Sequence, residues 1–105
     1  MKSTHRKNAK IFKAFCDETR LTVLELLQSG EKCACVLLEK VDVCQSTLSH
    51  HMKVLVESGI VNARESGKWT YYSINEQQSQ KAIALLTRLT TVTETADSIN
   101  EKCCK

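Results

Sequence analysis

Residues 44–58 read CQSTLSHHMKVLVES, and Gly59 closes the stretch. Leu48, Met52, Leu55 and Val56 recur at helical spacing and make one apolar stripe. Gln45, Ser46, Thr47, Ser49, His50 and Lys53 make the other face, which holds no acid until Glu57. A short helix with an apolar back and a small, polar, donor-rich front suits a DNA major groove, where such side chains meet base edges and phosphates. Taken alone, the window also fits an ordinary amphipathic surface helix, so its neighbours decide.

Upstream, residues 34–41, ACVLLEKV, form a short helix with Val36, Leu37 and Val41 apolar, and residues 42–45 connect it to the first stretch. Two helices joined by so short a turn, the second polar-fronted, read as helix-turn-helix. Downstream of Gly59 the apolar period changes from 3.6 to 2. Residues 60–65 read as a strand, Ser66-Gly67 as a tight turn, and residues 68–74 as a return strand rich in aromatic and β-branched residues. A hairpin directly behind a helix-turn-helix is a wing. Arg64 and Lys68 flank its tip, within reach of a phosphate or the adjacent minor groove. Trp69 and Tyr71 fit hairpin packing.

Further out, residues 5–16 read as a first helix, with Ile11, Phe12 and Phe15 apolar and Arg6, Lys7, Lys10 and Lys13 on a basic outer face. Residues 18–29 read as a second, with Leu21, Val23, Leu24 and Leu27 inward, Asp17 as N-cap and Gly30 as stop. From residue 75 to the end a long helix is expected. Its stripe of Ala82, Leu85, Leu86, Leu89, Val92, Ala96 and Ile99 covers about five turns, although Thr90, Thr91, Thr93 and Thr95 lower its propensity. That stripe exceeds what one small domain can cover, and packing on a second copy by two-fold symmetry covers the rest. The predicted architecture is one domain, residues 1–105, a mainly α winged helix-turn-helix in the order α-α-α-α-β-β-α, homodimeric through its terminal helices.

A chain of 105 residues with 42% apolar content is globular and makes one domain, small for burying a generous core alone. The net charge of +3 is mild alone, but about +6 in a dimer, which matters on a polyanion. No apolar run is long enough to span a bilayer, and Lys13 and Asp17 interrupt any signal-peptide core. A cytoplasmic protein without a membrane partner is expected. Its six cysteines, Cys16, Cys33, Cys35, Cys44, Cys103 and Cys104, should then be reduced thiols. None form CxxC, and the chain has no glycine-rich phosphate loop and no convergent acid–base set, so a thiol enzyme is not supported. Thiolates are soft ligands and select soft ions: trivalent arsenic or antimony, cadmium, lead or copper(I). Cys33 and Cys35, two apart on a helix, point about 200° from each other. They share an ion only where the backbone extends, so capture should pull open the first turn of the third helix. His50 and His51, adjacent on a helix, diverge by about 100°. They fit DNA contact for His50 and packing or phosphate contact for His51 better than metal ligation. His5 reads as solvated.

The whole order, with AFCDETRLTVLELL, EKCACVLLEKV and CQSTLSHHMKVLVESGIVNARESGKWTYYSI, resembles the ArsR/SmtB family of metal-sensing repressors across roughly residues 10–75. The resemblance implies a homodimeric winged-helix repressor that leaves its operator on binding a metal or metalloid ion. Three positions depart from the family pattern. Glu18 stands where proline is common, Cys44 where the recognition helix usually begins with serine, and Leu38 in the third position of the CxCxxC used by arsenic sensors. The family's zinc site uses histidines along the last helix, and this chain has none after His51. Cys33 and Cys35 match the first two thiols of the arsenic pattern. The third is open among Cys16, Cys44, Cys103 and Cys104. Lys102 and Lys105 flank the terminal pair and favour its thiolate form, whereas Cys16 also fits a small core residue and Cys44 a substitute N-cap.

The expected function is a repressor that holds double-stranded operator DNA as a dimer, with its recognition helices about 34 Å apart, and is released by arsenite or antimonite. Cadmium or lead is the alternative inducer. A reversible disulfide or polysulfide joining Cys33 or Cys35 to Cys103 or Cys104 is the alternative signal.

Overall fold

The computed structural model describes residues 2–93, with side chains from residue 4 onward. Cys103, Cys104, Ala96 and Ile99 lie outside the described residues. The order is α1 (Lys2–Lys13), α2 (Glu18–Leu27), β1 (Lys32–Cys33), α3 (Ala34–Lys40), α4 (Gln45–Glu57), β2 (Val61–Ser66), β3 (Trp69–Ile74) and α5 (Glu76–Thr90). It is a mainly helical winged helix-turn-helix with a small antiparallel sheet. Among the described residues no helix is long and apolar enough to cross a membrane.

Local chemistry sets the boundaries. Asp17 caps α2, its Oδ2 accepting from the N–H of Thr19 at 2.8 Å and of Arg20 at 3.2 Å. Asn75 caps α5 through Oδ1, which accepts from the Gln78 N–H at 3.0 Å. Gly59 ends α4 with φ +87°, a left-handed conformation that favours glycine. Gly67, at φ +65°, closes the wing, where Ser66 pairs with Trp69.

The core gathers Ala14, Val23 and Leu27 with Leu37 of α3, Leu48, Met52 and Leu55 of α4, Ile60, Val61 and Ala82. The stripe of α4 thus faces inward as expected, with Val54 buried beside it. Leu21, expected inward, is 49% exposed. It lines an apolar groove together with Phe12, Phe15, Ile83 and Leu86.

Two further expectations change. The sheet has three strands in the order β1-β3-β2, with Lys32 opposite Tyr72 and Cys33 opposite Tyr71. A two-residue strand is too short to show alternation, so nothing in the pattern marked it. The last helix stops at Thr90, Thr91 is extended, and Val92 is 88% exposed. The hydroxyls of Thr87, Thr90 and Thr91 donate to the carbonyls of Ile83, Leu86 and Thr87. Such back-bonding, added to the low propensity of threonine, weakens this end of the helix.

Candidate nucleic-acid interface and thiol site

Every side chain expected on the DNA-reading face is exposed: Gln45, Ser46, Thr47, Ser49, His50 and Lys53. Ser46, Ser49, His50 and Lys53 share the side of α4 turned away from Leu48, Met52 and Leu55, and Gln45 and Thr47 stand in its first turn. His51 is half-buried and turned toward α2. Its Nδ1 lies 2.8 Å from Nη1 of Arg20, and its Nε2 lies 3.6 Å from Oδ2 of Asp17. Arg20 is 6% exposed and also donates from Nη2 to the Lys13 carbonyl at 3.0 Å. One guanidinium therefore ties α1, α2 and the recognition helix together, and His51 belongs to packing.

At the wing, Lys68 is exposed near the tip. Arg64 is exposed but engaged. Nε and Nη2 donate to the two carboxylate oxygens of Glu31 at 3.0 and 2.7 Å, and the guanidinium carbon lies 4.7 Å from the centre of the Tyr71 ring. The hydrogen bonds from Arg64 and its charge hold the Glu31 carboxyl below its ordinary range. Any phosphate contact by Arg64 competes with this fork.

The thiols Cys33 and Cys35 meet with their sulfurs 2.9 Å apart. This corrects the expectation that capture must unwind a helical turn. Cys33 is the N-cap of α3, extended at φ −73° and ψ 148°, because β1 holds it against β3. The two sulfurs already converge on one side. Their acidities diverge. The Cys35 side chain, then the backbone N–H groups of Cys35 and Val36, lower the Cys33 pKa, whereas the Cys35 pKa is raised by the same thiol contact. Cys33 is the more acidic thiol of the pair.

The pair lines a cleft of about 340 Å³ that also touches Gln45 and Ser49 of α4, Lys68 and Trp69 of the wing, and Leu38. Trp69, expected in hairpin packing, is 53% exposed and forms part of this wall. One row runs straight across the sheet: Cys33 opposite Tyr71, and Tyr71 opposite Arg64. Residues directly opposite in antiparallel strands project from the same face, so the thiol, the phenol ring and the guanidinium follow one another from β1 to the wing. Sequence reasoning missed Glu31 and Arg20. Their signals were a lone acid one residue before β1 and an arginine on the inner side of α2, and both need the tertiary pairing to be read.

The other described cysteines do not join the pair. Cys16 lies beyond α1, its thiol donating to the Phe12 carbonyl at 3.3 Å. Cys44 is the N-cap of α4, with its sulfur 3.3 Å from both the Ser46 and Thr47 hydroxyls. Donation from those hydroxyls, and then from the Thr47 N–H, lowers its pKa to about 6. Among the described residues no three His, Cys, Asp or Glu side chains gather to hold a metal ion. Within one chain, neither Cys16 nor Cys44 gathers with Cys33 and Cys35.

The family model described as bacterial regulatory protein, arsR family, matches residues 17–63. An HTH-type transcriptional regulator of Methanocaldococcus jannaschii is 41% identical over 86 residues, which cover 81% of this chain and 97% of that one. The arsenical resistance operon repressor of Bacillus subtilis is 39% identical over 74 residues, 70% of each chain. Among solved structures, an ArsR-like transcriptional regulator from Rhodococcus sp. RHA1 superposes with a TM-score of 0.73 at 25% identity, covering 85% of this chain and 82% of that one.

Proposed function

The chain belongs to the arsR family of bacterial regulatory proteins, and from that membership we propose that this repressor holds its operator as a homodimer and releases it when Cys33 and Cys35 capture a thiophilic ion, arsenite or antimonite before cadmium or lead. The observation that carries the reading is the sulfur pair, 2.9 Å apart, in a cleft it shares with Gln45 and Ser49 of the recognition helix and Lys68 and Trp69 of the wing. Soft donors select a soft ion, and an ion at this place sits between the two DNA-facing elements. Each thiol would replace one hydroxyl of arsenite, which leaves as water with the thiol proton. One position remains for a third donor, either a hydroxyl or a thiolate of Cys103 or Cys104.

The recognition helix would offer Ser46, Thr47, Ser49 and His50 to bases and phosphates, with Gln45 able to read adenine and Lys53 and Lys68 to hold phosphates. Signal transfer follows the sheet. β1 pairs with β3, and the Glu31–Arg64 fork ties the segment before the thiols to β2. A shift at Cys33 thus acts on the wing without help from α3. Dimerisation is supported by the exposed apolar residues Phe15, Leu21, Ile83, Leu86 and Leu89, four of which line one groove along α1, α2 and α5.

The test is fluorescence anisotropy of an operator duplex bound to the protein, titrated under excess reductant with arsenite, antimonite, cadmium, lead and zinc in turn. Release by arsenite or antimonite at the lowest concentration supports the reading. A redox signal is the second reading, favoured by sulfurs only about 0.9 Å beyond disulfide bonding distance. Two-electron oxidation by a peroxide or persulfide would join them with loss of two protons. Release by oxidant alone, with no response to any ion under reductant, would select it.

A further inference from the structure

The charge of this chain is not spread over it. Five of the 15 lysines and arginines and none of the 12 acids fall in α1, so that helix carries +5 and everything else together carries −2. Without α1 the protein would be repelled by DNA at long range, whatever its recognition helix offered.

Arg6, Lys10 and Lys13 stand four and three residues apart, which places them on one face of α1 over about 10 Å. Arg6, Lys7, Lys10 and Lys13 are all exposed. The opposite side is apolar: Ile11 and Phe12 are half-buried and Ala14, just beyond the helix, is fully buried. Among the described residues the ion pairs are Asp17–His51 and Glu31–Arg64, and neither involves a cation of α1. The position of the helix is fixed relative to the DNA reader. Arg20 donates to the Lys13 carbonyl and to His51 of α4, so the basic stripe begins beside the recognition helix and runs away from it.

We propose that the α1 stripe of Arg6, Lys10 and Lys13 is a second DNA contact, a sequence-independent clamp on phosphates flanking the base pairs read by α4. It supplies the attraction that brings a net-negative remainder onto a polyanion, and it lengthens the footprint beyond the half-site. The proposal rests on operator binding by α4, and the experiment separates the two.

The full-length chain is used, with a duplex it selects from a random library and a scrambled duplex of the same composition, each measured over a range of salt. The variants are R6Q/K10Q/K13Q and the charge-conserving R6K/K10R/K13R, with thermal melting to check that both fold. The expected result is a salt slope that falls by about 0.9 for each phosphate the triple glutamine variant no longer neutralises. Both duplexes should weaken by the same factor, leaving their affinity ratio and the metalloid response unchanged, and R6K/K10R/K13R should keep the parent slope. An unchanged slope in R6Q/K10Q/K13Q, or a loss confined to the selected duplex, overturns the clamp. A parent chain that selects no sequence at all would instead overturn operator reading by α4.

Discussion

Arg20 and His51 meet across the α2–α4 contact, with Nη1 of the guanidinium donating to Nδ1 of the imidazole at 2.8 Å. An arginine can only donate, so Nδ1 is the acceptor in this contact, while Nε2 faces Oδ2 of Asp17 at 3.6 Å. The pair sets how the recognition helix sits on the rest of the domain. His51→Leu removes the acceptor from a guanidinium that is 6% exposed and whose Nε has no hydrogen-bond partner among the described residues. The expected loss is about 1–3 kcal/mol in denaturant unfolding, together with weaker operator binding. His51→Gln, whose amide oxygen can accept the same N–H, should recover most of both.

Cys44 gives a pH test. Its thiolate accepts from Ser46 and Thr47, which brings the pKa to about 6. A lowered pKa means that the reactive form is present above that value and lost below it. In a Cys33→Ser/Cys35→Ser background, alkylation of Cys44 followed by peptide mass spectrometry should reach half its maximal rate near pH 6. Ser46→Ala with Thr47→Val should move the midpoint toward the ordinary thiol range. Because Cys44 starts α4, the helix proposed to read DNA, bound operator should slow the reaction.

Glu31 tests the route from the thiols to the wing. Its fork with Arg64 is exposed, and such solvent-screened pairs contribute little to stability. Glu31→Gln should therefore leave the unfolding midpoint nearly unchanged. The coupling should suffer: the ratio of operator affinity between ion-free and ion-loaded protein is expected to shrink. An unaltered ratio would mean that the signal travels by another path.

Leu38 stands in the cleft with the thiol pair, at the place where arsenic sensors of this pattern carry a third cysteine. Leu38→Cys should lower the arsenite concentration that releases half the operator, and should remove any dependence on Cys103 and Cys104. Anisotropy in the L38C and L38C/C103S/C104S variants measures both.

Much of this was legible from residue order. The stripe at Leu48, Met52 and Leu55, the switch of period after Gly59 and the caps at Asp17 and Gly59 are local signals, and each element they marked is present. Properties set by distant partners were not legible. Lys32 and Cys33 become a strand because Tyr71 and Tyr72 pair with them, and that pairing puts Cys33 outside the helix and beside Cys35. Arg64 looked free for phosphate until Glu31, 33 residues away, was placed against it. Leu21 is apolar at helical spacing, yet faces a groove instead of the core. The apolar spacing past Leu89 suggested more helix, but threonines compete for the backbone carbonyls there.

The measurement that bears most directly on the account is arsenite-driven release of the operator by the parent chain and by Cys33→Ser, Cys35→Ser and the double variant, all under excess reductant. All four proteins should bind the duplex alike without the ion, since the proposed base and phosphate contacts are made by α4 and Lys68 and not by the thiols. Arsenite should free the parent from DNA and leave the three variants bound. Release of the double variant at the parent's arsenite concentration would contradict the account, because the signal would then be received elsewhere in the molecule.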